Sequence, residues 1–259
     1  MLSRDLLNSL GGTPGAFRDL SVSLEHMGEV ARVRGDWEQA EADVSRLRGL
    51  RIGLLMDAGW GLPVDPRVAA AVRAAATAFE REGAIVEPLA PFMTRAMVDG
   101  LDDFWRTRAW IEIAALPADR RERVLPFIAD WARGGEGLSG ERVFKGYSQM
   151  AAMRDAALRA CQPCDVVLSP TAPIPAFAAE LASPIDDPSR PFEHIAFTLP
   201  YNMSEQPAIS LDAGQTRDGL PIGLQIAGRR FDDLTVLQVA WAWERLRPAP
   251  RAWPDPPAP

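Results

Sequence analysis

The side chains of this sequence that could take part in covalent catalysis are few and far apart. Lys145 is the single lysine, and the two histidines are His26 and His194. A Ser–His–acid triad is often signalled by a G-x-S-x-G turn that exposes the serine, and the sequence contains no such turn. We therefore predict no catalytic triad, no catalytic role for Lys145, and a surface or loop position for both histidines.

The two cysteines form a C-x-x-C motif, Cys161 to Cys164. A reactive thiolate in such a motif lies at the beginning of a helix, where the helix dipole lowers its pKa. Here the pair ends a segment with helical spacing and precedes an apolar strand, so the dipole would raise that pKa. A structural zinc site needs four ligands, and no second cysteine pair exists. The motif therefore indicates two reduced cysteines, and we predict no metal and no other cofactor.

The elements that would position these side chains alternate between strands and helices. An apolar strand, a helix that begins at Asp65-Pro66 and a second strand form a β-α-β unit, which is typical of a parallel sheet. The buried face of this helix is predicted to carry Val68, Val72, Ala75 and Phe79. Strands are predicted near residues 51–56, 85–89, 165–170, 208–211 and 222–228. We expect an α/β fold, a layered α/β/α sandwich around a mixed sheet.

Residues 92–161 are predicted to be mostly helical, in segments near 92–116, 118–133 and 139–161. On the last segment one face is predicted to carry Val143, Tyr147, Met150, Ala157, Leu158 and Cys161. Arg154 falls on the same side. Two interpretations of it stay open, a structural ion pair beneath the sheet and a contact to a substrate carboxylate.

Length and charge exclude several classes of protein. A chain of 259 residues can bury one large α/β core, and its net charge of −7, with no dense Lys/Arg cluster, argues against a nucleic-acid partner. No apolar run approaches the roughly 20 residues of a membrane span. The first residues lack the apolar region of a signal peptide, so we expect a cytoplasmic protein.

The stretch from Thr198 to Arg230 contains two strand-like runs joined by a link rich in turn residues. It resembles the last third of the amidase signature family, whose pattern includes P-A-I-S followed by G-L-P-x-G-x-Q. The preceding strand, DVVLSPT, is also similar to a segment of that family. The matching positions in the long stretch are Pro200, Asn202, Gln206, Pro207, Ala208, Ile209, Ser210, Gly219, Leu220, Pro221, Gly223, Gln225 and Gly228.

The resemblance implies hydrolysis of amide bonds by a serine, a bridging serine and a neutral lysine, with a glycine-rich loop that holds the oxyanion. In the family all of these lie upstream of the portion matched here. The sequence has no G-G-S-S-G-G string, and Lys145 lies far from the family's lysine position. We therefore assign no catalytic residue and expect a truncated family member. Its predicted parts are a poorly matched segment, 1–49, the amidase-like portion, 50–247, and a Pro-rich, disordered tail, 248–259.

The resemblance also implies that Thr198, Tyr201 and Asn202 approach the substrate. Tyr201 and Asn202 can form hydrogen bonds, although Asn202 can equally cap the turn into the next strand. Relatives that act on glutamine carry an aspartate shortly before this threonine, and three residues before Thr198 this sequence has Ile195. This difference argues against glutamine and favours a more apolar amide, or no amide substrate.

Two functions compete at this point. The first is an amide hydrolase represented by its C-terminal half and inactive alone. The second is a non-catalytic fragment, or a binding or complementing module. The partners expected for these functions are a small-molecule amide substrate and an N-terminal amidase half or a second copy of the chain, with no nucleic acid and no membrane.

Overall fold

The computed structural model describes residues 47–248. Predictions for His26, for the other residues of 1–46 and for the tail after Pro248 fall outside these residues. Five strands form one mixed sheet in the order β2-β1-β3-β5-β4. Their bounds are β1 Arg51–Leu54, β2 Ile85–Pro88, β3 Val166–Pro170, β4 Ala208–Gln215 and β5 Pro221–Gly228. The five predicted strands are therefore confirmed.

Four strands run in one direction, and β5 alone runs in the opposite one. β1 is parallel to both β2 and β3, whereas β5 is antiparallel to β3 and to β4. All five residues of β3 are buried, as expected for the central strand of a covered sheet. β4 runs four residues beyond its predicted end because a bulge between Asp212 and Gly214 lets the pairing with β5 continue.

Helices cover both faces of the sheet. Their bounds are α1 Pro66–Arg81, α2 Arg95–Ala114, α3 Ala118–Arg121, α4 Pro126–Arg133, α5 Gly140–Cys161, α6 Leu199–Ser204 and α7 Asp233–Leu246. One apolar cluster joins α1 and α7 to the sheet through Phe79, Leu224 and Trp243. A second cluster joins α2, α5 and α6 to the opposite face through Leu101, Met153 and Tyr201. The predicted α/β/α sandwich is confirmed.

Helix α1 forms where the sequence indicated. The Asp65 carboxylate accepts a hydrogen bond from the Arg67 backbone N–H, and proline occupies the first turn, where no N–H is needed. The predicted face of Val68, Val72, Ala75 and Phe79 is buried. This face packs the helix against the sheet and completes the β1-α1-β2 unit.

The buried face of α5 agrees with the predicted one at Ala157 and Cys161 and differs from it in the first half of the helix. Its buried residues are Gly146, Met153, Ala157 and Cys161, whereas the side chain of Tyr147 is exposed. The reason is the close packing of α5 on α2, because a Cβ at Gly146 would collide with the carbonyl oxygen of Gly100. Helical spacing alone did not show which glycine would set this contact.

The helices of residues 47–248 include none with the length and apolar character needed to cross a membrane.

Candidate functional site

The three predicted substrate-binding residues lie at the start of α6, just after a 3-10 turn, Glu193–Ile195. Thr198 is half-buried, and its hydroxyl donates to the Ile195 carbonyl at 3.1 Å. Asn202 is exposed and its side-chain amide donates to the Thr198 carbonyl at 3.0 Å, so it bonds within the helix and does not cap the following turn. The short helix brings both side chains to one segment.

Tyr201 points into the protein from the same helix. It is only 2% exposed, and its hydroxyl has no hydrogen-bond partner among the described residues. Burial raises the pKa of this phenol well above its ordinary value, and the nearby thiols of Cys161 and Cys164 add to the effect. Tyr201 is therefore a neutral, buried group whose hydrogen-bonding capacity is unused by the residues around it.

Two buried glutamines fix the position of the segment that carries Thr198, Tyr201 and Asn202. The amide of Gln225 on β5 donates to the carbonyl of Phe197 at 2.8 Å and to the hydroxyl of Ser169 at 3.0 Å. The amide of Gln206 donates to the carbonyl of Gly228 at 2.7 Å and its oxygen accepts from Ser204 at 2.9 Å. Gln225 holds the chain directly before Thr198, through its bond to Phe197. Gln206 holds the end of α6, through its bond to Ser204.

Replacing Gln225 with leucine is expected to lower the free energy of unfolding by about 2 kcal/mol, because the buried Phe197 carbonyl loses its donor. Urea unfolding measures this change. Gln162→Leu, at an exposed glutamine, is the matched control and is expected to stay within about 0.5 kcal/mol. Equal values for the two variants would show that Gln225 does not anchor the segment.

A buried carboxylate holds the 3-10 turn that precedes Thr198. Glu193 is 1% exposed and forms a two-point contact with Arg95 at 2.7 and 2.8 Å. Arg190 lies 3.3 Å from the same carboxylate. Burial alone would raise the pKa of Glu193, but hydrogen bonds and charge from the two arginines bring it below its ordinary value. The carboxylate is therefore ionised at neutral pH and ties the segment to the start of α2.

A cleft opens beyond the carboxyl end of β3, which is where ligands bind in many open α/β sheets. Two hydroxyls that line it, Thr171 Oγ1 and the exposed Ser210 Oγ, share a hydrogen bond of 2.6 Å. Gly223 makes this arrangement fit, because a Cβ there would come within 2.6 Å of Thr171 Oγ1 and 3.0 Å of Ser210 Oγ.

His194 lines the same cleft beside the ring of Phe177, and its Nδ1 has no partner among residues 47–248. Burial lowers the pKa of His194, which favours the neutral imidazole.

The other side chains considered for chemistry, a lysine, two cysteines and an arginine, are either ion-paired or buried as free thiols. Lys145 is exposed and its Nζ lies 2.6 Å from the Glu141 carboxylate. Cys161 and Cys164 are free, buried thiols, and burial raises the pKa of Cys161 to about 12. Arg154 forms an ion pair of 2.7 Å with Glu205, which is the structural interpretation of this arginine.

The family model that matches this chain is described as Amidase, and the match covers residues 25–237. The chain belongs to the amidase family. A glutamyl-tRNA(Gln) amidotransferase subunit of Myxococcus xanthus (strain DK1622) is 30% identical over 226 residues, covering 77% of this chain and 45% of the relative. The corresponding subunit of Synechococcus sp. (strain CC9605) is 31% identical over 225 residues, with the same two coverages.

Solved structures of amidases share this fold. A 6-aminohexanoate cyclic dimer hydrolase in complex with substrate superposes with a TM-score of 0.64 at 26% identity, covering 78% of this chain and 46% of that one. A bacterial aryl acylamidase of the amidase signature family superposes with a TM-score of 0.65 at 23% identity, over 80% and 46% of the two chains, a likeness of fold alone. The chain spans about 45% of the length of the relatives it matches.

Sequence reasoning did not find the hydroxyl pair of the cleft. Thr171 and Ser210 both belong to segments that resemble the amidase family, and the resemblance indicated the family but no site role for either residue. Their closeness depends on the antiparallel pairing of β5 with both β3 and β4, which brings residues 39 positions apart together. The position of Thr171 directly after a buried parallel strand was the available signal.

Proposed function

We propose that this amidase-family chain forms the substrate-binding side of an amide hydrolase and that the nucleophile and base come from an N-terminal amidase half. The family match over residues 25–237 carries the proposal. The missing G-G-S-S-G-G string supports the second part, and so does the exposed ion pair that Lys145 forms with Glu141. A lysine that acts as a base must be neutral near pH 7, which requires removal from water or a neighbouring cation.

The proposal keeps Thr198, Tyr201 and Asn202 as substrate-binding residues. Asn202 is exposed and can reach a ligand directly, whereas the hydroxyl of Thr198 is already bonded to Ile195. Tyr201 would contribute through its unused hydroxyl. The substrate is a small amide with no charged group to face Ile195, since isoleucine cannot pair with a charge. We further propose a cytoplasmic setting, with no nucleic-acid or membrane partner, and either the N-terminal half or a second copy of the chain as its protein partner.

The purified chain alone is expected to hydrolyse an aryl amide such as p-nitroacetanilide no faster than solvent does, since it lacks a nucleophile with an activating base. Co-expression with an N-terminal amidase half that carries the serines and the lysine is expected to raise the rate on the order of 10⁶-fold. Release of p-nitroaniline measures both. The same half with its nucleophilic serine replaced by alanine is the control.

Two results would overturn the proposal. One is a stable complex of both halves that shows no turnover. The other is turnover by the chain alone that disappears in Lys145→Ala, which would make Lys145 the base.

A further inference from the structure

The cleft beyond β3 has the size and the walls of a small-molecule site. Its volume is about 780 Å³, within the range of roughly 300–1,000 Å³ that is usual for ligand pockets. One wall is the loop after β3, with Ile174, Pro175 and Phe177. The other wall comes from α1 and β5, with Val68 and Ile222. A ligand in this cleft would therefore contact mainly apolar side chains.

The charged side chains at the rim of the cleft are already paired. Arg247 bonds Asp212 at 2.9 Å and Glu244 at 2.8 Å. The other carboxylate oxygen of Asp212 accepts the Gly214 backbone N–H at 2.8 Å. A charged ligand would have to displace one of these bonds or lose its hydration without a partner, which is costly in an apolar cleft.

The polar groups without such pairing are neutral. Thr171 and Ser210 use one proton between them, so one hydroxyl proton and several lone pairs remain for a ligand. His194 offers Nδ1, which has no partner among the described residues, as a donor or an acceptor according to its tautomer. These groups match the carbonyl and N–H of an amide.

We propose that this cleft, which is lined by none of Thr198, Tyr201 and Asn202, is a second site. It binds an uncharged amide with an aryl or alkyl group, the apolar group against Ile174 and Phe177 and the amide against Thr171, Ser210 and His194. The choice of an amide rests on the proposed function. The preference for an uncharged ligand rests on the cleft alone.

Isothermal titration of the full chain with benzamide, benzoate and benzamidine tests the assignment, because the three share a shape but are neutral, anionic and cationic. Benzamide is expected to bind at least tenfold more tightly than either charged compound. Thr171→Val and Ser210→Ala are each expected to weaken benzamide binding about tenfold. Gly223→Ala is expected to do so as well, since its methyl group displaces the hydroxyl pair. Ser148→Ala, at an exposed serine on α5, is the matched control and is expected to change nothing.

Equal affinity for the three compounds, no benzamide binding at 10 mM, or unchanged binding in Thr171→Val and Ser210→Ala would overturn the assignment. A far-UV circular dichroism spectrum that matches the unchanged chain confirms that each variant is folded. The titration needs no turnover, so the two proposals fail separately. Restored hydrolysis with unchanged binding in the variants refutes only the cleft assignment. Binding as expected in a complex that hydrolyses nothing supports the cleft and refutes the proposed function.

Discussion

The chain alone is expected to self-associate and to unfold without a sharp, reversible transition, and an N-terminal amidase half is expected to correct both. Among residues 47–248, β4 pairs with a strand on one side only, and the side chains of Ala208, Ser210 and Asp212 along it are exposed. An unpaired strand edge is a template for pairing with another chain. The helical layer also exposes large apolar side chains, with Ile111 at 63% and Phe144 at 70%.

The energies involved are large for a domain of this size. A partner that covers about 400 Å² of apolar surface contributes roughly 10 kcal/mol at about 25 cal/mol per Å². The whole stability of a domain is about 5–15 kcal/mol. Loss of such a partner is therefore enough to leave the chain marginally stable.

Sedimentation velocity and thermal unfolding, with and without the N-terminal half, measure this effect. Ala208→Lys places a charge at an exposed position of the edge strand β4 and is expected to reduce association. Ala74→Lys, at an exposed position of α1, adds the same charge elsewhere and is expected to leave association unchanged. A monomer with a sharp, reversible transition would show that the chain is self-sufficient and that the prediction is wrong.

Replacing Arg95 with methionine is expected to lower the free energy of unfolding by about 3 kcal/mol at pH 7. The change leaves the Glu193 carboxylate buried at 1% exposure with only Arg190 beside it, at 3.3 Å. It also removes the contact between the Arg95 guanidinium and the Trp60 ring, at 5.5 Å. Urea unfolding at pH 7 and at pH 4 measures the loss.

The loss is expected to be smaller at pH 4. In the unchanged protein the pKa of Glu193 lies below its ordinary value, so its stabilisation is present above that value and is lost as the pH falls through the folded-state pKa. Without Arg95, burial dominates and the pKa of Glu193 rises. Acidification then protonates Glu193 in the variant and removes the cost of a buried charge.

The control for this variant is Arg108→Met on the same helix. Arg108 pairs with Glu112 at 2.9 Å, but both side chains are more than 60% exposed. Such a pair contributes about 0.5 kcal/mol. An Arg95→Met loss that matched the control, or that did not change between the two pH values, would contradict the role assigned to Glu193.

The sequence by itself determined the family, the five strands and helix α1. Each of these depends on local signals, such as the apolar run of β3, the Asp65-Pro66 start of α1 and the fixed spacing of Gly219, Pro221 and Gln225. The sequence also shows that the G-G-S-S-G-G string is missing and that Lys145 is the single lysine, because these facts depend on residue types and not on geometry. Local periodicity fixes where an element forms, since backbone hydrogen bonds and one apolar face suffice for it.

Only the tertiary structure decided which residues meet. The Gln225 bond to Phe197, the Glu193 pair with Arg95 and the hydroxyl pair of Thr171 and Ser210 join residues 28, 98 and 39 positions apart. The buried face of α5 was decided in the same way, by its contact with a glycine on α2. Contacts of this kind depend on strand order and helix packing, which many sequences with the same local pattern satisfy differently. The cleft and the anchors of the Thr198–Asn202 segment therefore became visible only in the folded chain.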